Sequence, residues 1–358
     1  MILEENQSMK NIEIAFFILL FLTFSGCNVK PTAEPLPISV ASNLSLLQEN
    51  AQFVMYLNFK NMRHSDFWKK NVSDSLLNAE KTFGSLLNTF KEATGASISD
   101  GIDELYYSNS WFGENAIILK GVFKRDDLDN YILKDSIFSV TKYADGTNIY
   151  IKNDNGLYFY FRDDFTICAS NYLKQIDIML SVKDTVKSGL LLNDEIFTSI
   201  KNIIYKENLW MVSTEKIFIR GIFQNFLEST SDRMYENQDT IENMSDSIAI
   251  EEKPNIENLY KRLKAVSFSA KMGDDLKFLI QGDCINEESS KYLKSLISGL
   301  ITVGKLKSAG QKNQKGESLL DHIKLERYGT SVFIELLINE NTLNDLKKIE
   351  LMNEPGDE

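Results

Sequence analysis

The spacing of apolar and polar residues after position 50 switches between two periods. Apolar residues at every second position, or in short unbroken runs, predict strands, and apolar residues three or four apart predict helices. Asp-Gly and Asn-Gly turns, which favour tight hairpins, separate predicted strands between positions 138 and 170. The predicted strands cover 53–59, 105–108, 116–123, 139–144, 148–152, 157–162, 165–170, 209–213, 265–270, 276–281, 324–328 and 331–338, and the predicted helices cover 73–94, 126–133, 172–182, 197–204, 217–227, 289–303 and 341–349.

This order predicts an α+β fold made of two related modules of antiparallel sheet, with helices packed on one face. We expect the first module at residues 47–190 and the second at 191–350, followed by a tail at 351–358. An acidic insert, 229–258, interrupts the second module and holds eight acidic against two basic residues, a composition typical of a disordered loop. Residues 27–46, which are rich in proline, are predicted to form an extended linker.

The two modules share a pattern that indicates an internal duplication. A shift of 161 residues without gaps places 105–132 on 266–293, and it aligns Gly121 with Gly282. The alternative is a chance match between two hairpin–helix units. A duplication predicts that the two modules bury a larger shared face than either would alone.

The N-terminus carries the most specific pattern in the chain. Lys10 precedes an unbroken apolar stretch, Ile14–Phe24, and Ser25, Gly26 and Cys27 follow it directly. Eleven apolar residues are too few to span a bilayer, which takes about 20, and a short charged segment, an apolar core and small residues make a secretory signal.

This segment resembles the signal of bacterial lipoproteins, with Phe24, Ser25, Gly26 and Cys27 as the lipobox. The resemblance implies that Cys27 becomes the first mature residue and carries acyl chains such as palmitate. Because two acyl chains suffice for stable anchoring, the protein is expected on a membrane of the cell envelope. Asn28 in place of aspartate favours the periplasmic side of the outer membrane, if the host has one. Residues 1–8 carry negative charge, whereas a secretory signal begins with a positively charged segment, so Met9 is an alternative start.

Charge narrows the range of partners. The chain of 358 residues has a formal net charge of −12. This charge argues against nucleic acid as a partner, because binding to phosphates needs a basic surface. It also argues against electrostatic adhesion to anionic lipid, so contact with the membrane is expected through the N-terminal lipid.

Cysteine and histidine are scarce, which limits metal and redox chemistry. The chain has three cysteines and two histidines, so a zinc site with several such ligands is not expected, and no cofactor is predicted. Cys168 and Cys284 could pair in an oxidising envelope. The favoured alternative is that both are small core residues on strands.

Patterns that suggest catalysis have simpler interpretations. Ser213 and Lys216 fit the Ser-x-x-Lys spacing of penicillin-binding enzymes, but the later elements of that family are missing, and a helix cap at Ser213 is favoured. His64, Ser65 and Asp66 are adjacent in the chain, so they cannot form the geometry of a catalytic triad. No phosphate-binding glycine loop is present in the sequence.

The most aromatic run, Tyr158–Phe161, has two interpretations. Side chains alternate along a strand, so Tyr158 and Tyr160 share one face and could form a platform for a sugar, a peptide or an apolar ligand. If helices cover both faces of the sheet, all four rings belong to the core, which is the favoured interpretation.

Residues 45–215 resemble a family of bacterial envelope proteins known only as a domain of unknown function. The motifs that carry the resemblance are structural: Tyr56-x-Asn58, Thr94-Gly95, Tyr143-x-x-Gly146, Cys168-Ala169-Ser170 and Leu192-Asn193. The family implies no catalytic residues.

Together these patterns predict a lipid-anchored envelope protein that acts as a non-enzymatic binding or structural module. Two alternatives remain open: a carrier with a cavity for an apolar ligand between sheet and helices, and an envelope hydrolase with a site that motifs do not reveal. A deep apolar pocket would favour the carrier, and a cleft with perturbed titratable groups would favour the hydrolase.

Overall fold

The computed structural model describes residues 30–71, 96–98, 100–110, 112–134, 137–154, 156–182, 187–215, 260–310 and 319–343. The predicted helices at 73–94 and 217–227, the acidic insert and the tail lie outside these ranges, as does most of the predicted helix at 341–349.

The described residues form one antiparallel sheet of twelve strands. These are β1 (Phe53–Asn58), β2 (Ile102–Asn109), β3 (Asn115–Gly121), β4 (Phe138–Lys142), β5 (Asn148–Lys152), β6 (Leu157–Asp163), β7 (Thr166–Ser170), β8 (Leu209–Ser213), β9 (Leu263–Met272), β10 (Leu276–Cys284), β11 (Ile323–Tyr328) and β12 (Ser331–Ile338). Their spatial order is β11-β12-β10-β9-β8-β1-β2-β3-β7-β6-β5-β4, so β11 and β4 form the two edges.

Helices connect and cover the strands. They are α1 (Ile38–Leu44), α2 (Phe59–His64), α3 (Asp66–Asn71), α4 (Arg125–Lys134), α5 (Leu173–Ser181), α6 (Asp194–Lys201) and α7 (Glu287–Gly310), with 3₁₀ turns at Gly189–Leu192 and Leu319–His322. The predicted α+β class with antiparallel strands is therefore confirmed.

The core lies on both faces of the sheet. Tyr56 and Tyr106 pack on one face with α1, α5 and α6. Leu57 and Leu105, the next residues along the same two strands, pack on the other face with α2 and α4. Helices thus cover two faces where the sequence predicted one, because these strands are apolar at consecutive positions and must be shielded on both sides.

β1 and β8 are neighbours near the middle of the sheet, and the strand order outward from this pair follows the same pattern over five strands on each side. One side runs β1-β2-β3-β7-β6, with β5 and β4 added beyond it, and the other runs β8-β9-β10-β12-β11. A helix follows β3 and another follows β10. A duplication requires this order, and the duplication itself stays a prediction.

The predicted alignment without gaps does not match the strand register. Leu105 faces Leu119 across β2 and β3, and a shift of 161 would therefore place Val266 opposite Ile280. Val266 instead faces Gly282. The β2–β3 connection spans 110–114 and the β9–β10 connection spans 273–275, so the centres of the two hairpins are 162 residues apart, one more than the predicted shift.

The N-terminal segment of the described chain is part of the folded body. Ala33–Glu358 forms one compact unit. Within it, α1 and the residues that follow pack on the sheet, with Leu44 and Leu47 fully buried. The predicted linker at 27–46 therefore differs from the structure from residue 33 onward, because its apolar side chains have a place in the core.

Candidate functional site

Three aromatic side chains form a buried row across the central strands. Tyr56 faces Trp210 on β8 and Tyr106 on β2 in the strand register. The ring centroids of Tyr56 and Tyr106 are 4.9 Å apart, and those of Tyr56 and Trp210 are 5.6 Å apart. All three side chains are at most 2% exposed, so the row stiffens the middle of the sheet.

The hydroxyl groups of this row end in a polar network, here called the tyrosine–glutamate cluster (Tyr56, Asn58, Glu104, Tyr106). The Tyr106 hydroxyl donates to Glu104 Oε2 over 2.7 Å, and Asn58 Nδ2 donates to the Tyr56 hydroxyl over 3.0 Å. Burial, aided by the Glu104 carboxylate, holds the pKa of both tyrosines well above its usual range. Both hydroxyls therefore stay protonated at neutral pH and act as hydrogen-bond donors or acceptors, not as bases.

A second polar network, the N-terminal lysine cluster (Glu34, Lys206, Glu207, Lys271), lies beside the start of β8. The Lys206 side chain is 2% exposed. Its Nζ donates to the backbone oxygens of Lys201 at 3.0 Å, Ile203 at 2.6 Å and Glu34 at 2.5 Å. The ammonium group thus satisfies carbonyls at the C-terminal end of α6, where cations are favoured, and it fastens residue 34 to that end.

The Glu34 carboxylate joins this cluster through both oxygens. Its Oε2 accepts from the backbone N–H of Lys206 at 2.6 Å, and its Oε1 accepts from Lys271 Nζ at 2.9 Å. Lys271 also pairs with Glu207 at 3.1 Å. Burial lowers the pKa of Lys206 to about 8, while the hydrogen bond that Lys271 donates to Glu34 raises the pKa of Lys271.

The two clusters meet at the same end of the sheet. The backbone N–H of Asn58 donates to the Asn208 carbonyl at 2.6 Å, and the Asn208 side chain accepts from the N–H of Met272 at 3.0 Å. The polar groups of the two clusters are largely bound to one another, and this arrangement suits a structural role that holds the N-terminal segment on the sheet. Among the described residues, no group of three or more histidine, cysteine, aspartate or glutamate side chains is arranged to hold a metal ion.

The predicted lipidation residue and lipobox, Phe24–Cys27, lie outside the described residues. Tyr158 and Tyr160 share a face of β6, as the strand pattern predicts. Tyr160 is only 1% exposed and belongs to the core, and Tyr158 is half-buried against that core. The two rings therefore do not form an open platform, because α5 and neighbouring residues cover this face of the sheet.

The core interpretation of the two strand cysteines is confirmed. Cys168 on β7 and Cys284 on β10 are free and buried. Six strand spacings separate β7 from β10, which at about 4.8 Å each places the two thiols far beyond disulfide reach. Burial raises the pKa of both thiols to about 12, so both are poor nucleophiles at neutral pH.

The serine in each suspected catalytic pattern accepts a hydrogen bond from the nearby backbone, and the helix that Ser213 was predicted to cap lies outside the described residues. The Ser213 hydroxyl accepts from the N–H of Glu215 at 3.2 Å, and Lys216 lies outside the described residues. The Ser65 hydroxyl accepts from the N–H of Trp68 at 3.2 Å at the start of α3. The exposed His64 ring bonds the carbonyl one helical turn before it, and it contacts neither serine.

Sequence reasoning missed both polar clusters. Tyr56 and Asn58 were recognised only as a structural motif, and nothing near Lys206 in the sequence marks it as buried. Glu34 and Lys271 are 237 positions apart in the chain. A lysine that follows a predicted helix by a few residues could have indicated a C-terminal cap, which is the one available signal.

Comparison with known proteins gives a distant structural similarity alone. No protein-family model matches the chain, and no curated protein matches it. Crystal form I of TP0453, a Treponema protein, is similar with a TM-score of 0.45 and 9% identity over 90% of this chain and 98% of that chain. Crystal form III gives a TM-score of 0.41 with 9% identity, over 90% of this chain and 99% of the other. This level of similarity assigns no activity to the present protein.

Proposed function

We propose that this protein is a lipoprotein of the bacterial cell envelope that acts as a non-enzymatic binding module. The acylated residue is Cys27. The observation that carries the proposal is the fixed N-terminal segment: only five residues, 28–32, lie between Cys27 and Ala33, where the compact unit begins. The six Cα-to-Cα steps from Cys27 to Ala33 reach at most about 20 Å, so the lipid would hold the folded body close to the membrane.

The N-terminal lysine cluster supports this proposal because it connects the N-terminal segment, which would carry the lipid, to the sheet. The Lys206 ammonium and the Lys271 ammonium both bind Glu34, through its carbonyl and its carboxylate respectively. A force applied to the lipid would therefore act on these two bonds before it reached any strand. Among the described residues, no helix is both long and apolar enough to cross a bilayer.

The state of the titratable groups favours binding over catalysis. The pKa values of Tyr56, Tyr106, Cys168 and Cys284 are all raised by burial. Each of these groups is held in its protonated form at neutral pH. A nucleophile or a general base would need a pKa moved towards neutrality and an approach for substrate. Burial lowers the pKa of Lys206 to about 8, but its ammonium is bonded to three backbone carbonyls and its side chain is almost fully buried, so a substrate has no approach to it.

The proposal is tested by metabolic labelling with a fatty-acid analogue. We expect the native chain to be labelled and cleaved before Cys27, and the Cys27→Ser chain to be neither labelled nor cleaved. Cys168→Ser is the matched control and should be labelled like the native chain. A native chain that stays in the cytosol without lipid and with its leader attached would overturn the proposal.

A further inference from the structure

The two edges of the sheet are protected to different degrees. On β11 the side chains of Lys324, Glu326 and Arg327 place charges along the edge, and α7 packs against the strand. On β4 the four residues 139–142 are all exposed, and Lys142 carries the strand's one charge. Natural proteins use charges, prolines or covering elements to keep edge strands from pairing with other chains. An open, nearly neutral edge therefore indicates a surface that pairs with another strand.

The hydrogen bonds beside β4 fix which backbone groups are free to pair. The N–H of Asn153 donates to the Ile137 carbonyl at 2.9 Å, and the N–H of Tyr143 donates to the Thr147 carbonyl at 2.8 Å. Bonded and non-bonded pairs alternate along an antiparallel ladder. The odd-numbered residues of 137–143 therefore bind β5, and the even-numbered residues direct their N–H and C=O groups away from the sheet.

Within the part of the chain that the structure describes, three residues thus present backbone groups that bind no other strand: Phe138, Val140 and Lys142. Phe138 is fixed by edge contact with the Tyr131 ring at a centroid distance of 5.9 Å. Val140 is 47% exposed, an uncommon degree for a β-branched side chain on a sheet. The backbone is therefore held in place at one end of the strand, and an apolar side chain is open at its centre.

We propose that the β4 edge accepts an extended segment of another protein as an additional antiparallel strand, which deepens the proposed binding function and rests on it. Strand addition of this kind takes its affinity from backbone hydrogen bonds and its specificity from alternate side chains. The partner segment carries an apolar residue opposite Val140 and a carboxylate opposite Lys142, and small polar residues at the positions between them.

A second copy of this chain fits the edge less well. Each chain carries a net charge of −12, so two copies repel each other. Pairing of two five-residue strands buries far less than the roughly 1,200 Å² that a stable dimer needs. A two-fold axis at Val140 would also place Lys142 opposite Phe138, which leaves the ammonium without a carboxylate.

The test uses the purified mature protein in detergent and a synthetic peptide, acetyl-Thr-Glu-Thr-Val-Thr-Leu-Thr-amide. In the antiparallel register its Glu, Val and Leu lie opposite Lys142, Val140 and Phe138. One control peptide is N-methylated at these three residues, whose N–H groups would face β4. A matched peptide is N-methylated at the intervening threonines, whose N–H groups would face away.

We expect the parent peptide and the threonine-methylated peptide to bind, and the other methylated peptide to lose at least about tenfold in affinity. Amide exchange at Phe138, Val140 and Lys142 should slow on binding. Val140→Pro removes one outward N–H and leaves the β5 ladder intact, so it should lose binding, while Val140→Thr should keep it. Circular dichroism checks that each variant is folded.

Three outcomes would overturn the inference: no binding at about 1 mM peptide, equal binding of the two methylated peptides, or protection of the same amides by self-association. Acylation is measured by mass on the same sample. Absence of binding to correctly acylated protein overturns the edge site alone, whereas protein without lipid overturns the proposed function.

Discussion

Replacing Lys206 by methionine tests whether the N-terminal lysine cluster holds the N-terminal segment on the sheet. Methionine keeps most of the buried apolar stem and removes the ammonium group. Three backbone carbonyls, those of Glu34, Lys201 and Ile203, then lose their donor.

The expected loss of stability in Lys206→Met follows from two opposing contributions to the free energy of unfolding. Burial lowers the pKa of Lys206 from 10.5 to about 8, a difference of about 2.5 pH units, and at about 1.4 kcal/mol per unit this is a cost of about 3 kcal/mol for keeping the charge. Three hydrogen bonds to a charged group contribute about 1.5–3 kcal/mol each. The three bonds together contribute about 4.5–9 kcal/mol, which exceeds the cost by about 1.5–6 kcal/mol, so we expect Lys206→Met to lower the free energy of unfolding by about 1.5–6 kcal/mol at pH 7.

The pH dependence gives a second, independent readout. Between pH 8 and 10.5 the unfolded chain keeps the Lys206 proton that the folded chain has released. Stability from this group therefore rises with pH across that range and is constant below it. Subtracting the free energy of unfolding of Lys206→Met from that of the native protein cancels the contributions of the tyrosines and cysteines that titrate in the same pH range. The remaining difference should grow by up to about 3 kcal/mol from pH 8 to 10.5.

Urea unfolding of the purified mature protein, followed by circular dichroism, measures both quantities. Lys271→Met is the matched control, because its side chain is 39% exposed and pairs with carboxylates that water also reaches. We expect it to cost less than about 1 kcal/mol. Equal stability of native protein and Lys206→Met at pH 7, with a difference that does not change up to pH 10.5, would refute the assignment.

Further predictions concern single side chains in the core. Tyr106→Phe should lower the free energy of unfolding by about 1–3 kcal/mol, because the neighbouring carboxylate loses its donor. Tyr160→Phe should leave it unchanged or raised, because that buried hydroxyl makes no well-aligned hydrogen bond within the described residues and has only the Cys168 thiol and Arg162 as polar neighbours; a loss equal to that of Tyr106→Phe would contradict this. Gly121→Ala should destabilise the fold by about 3 kcal/mol or more, since a Cβ there would lie 2.1 Å from a backbone oxygen. Cys168 and Cys284 should react with a thiol reagent at pH 8 only in denaturant, because burial raises the pKa of both to about 12; rapid reaction of the folded protein would show that they are accessible.

Local patterning predicted most strands because it depends on neighbouring residues alone. The Asp-Gly turn before β5 and the apolar run of β6 define their elements without help from the rest of the chain. The apolar and polar periods of 2 and 3.6 residues are properties of the backbone geometry, so they appear in the sequence. The same reasoning predicted that Cys168 and Cys284 are core residues, and both are buried.

Local patterns in the chain were enough to predict the element types, the antiparallel α+β class and the lipoprotein signature that supports the proposed anchor. They did not indicate that all described strands form a single sheet, that Glu34 meets Lys206, or that β4 rather than β11 presents an open edge. The cause is the separation of these residues along the chain. A hydrogen bond between residues 172 positions apart depends on how every intervening element packs, and no local period records that packing.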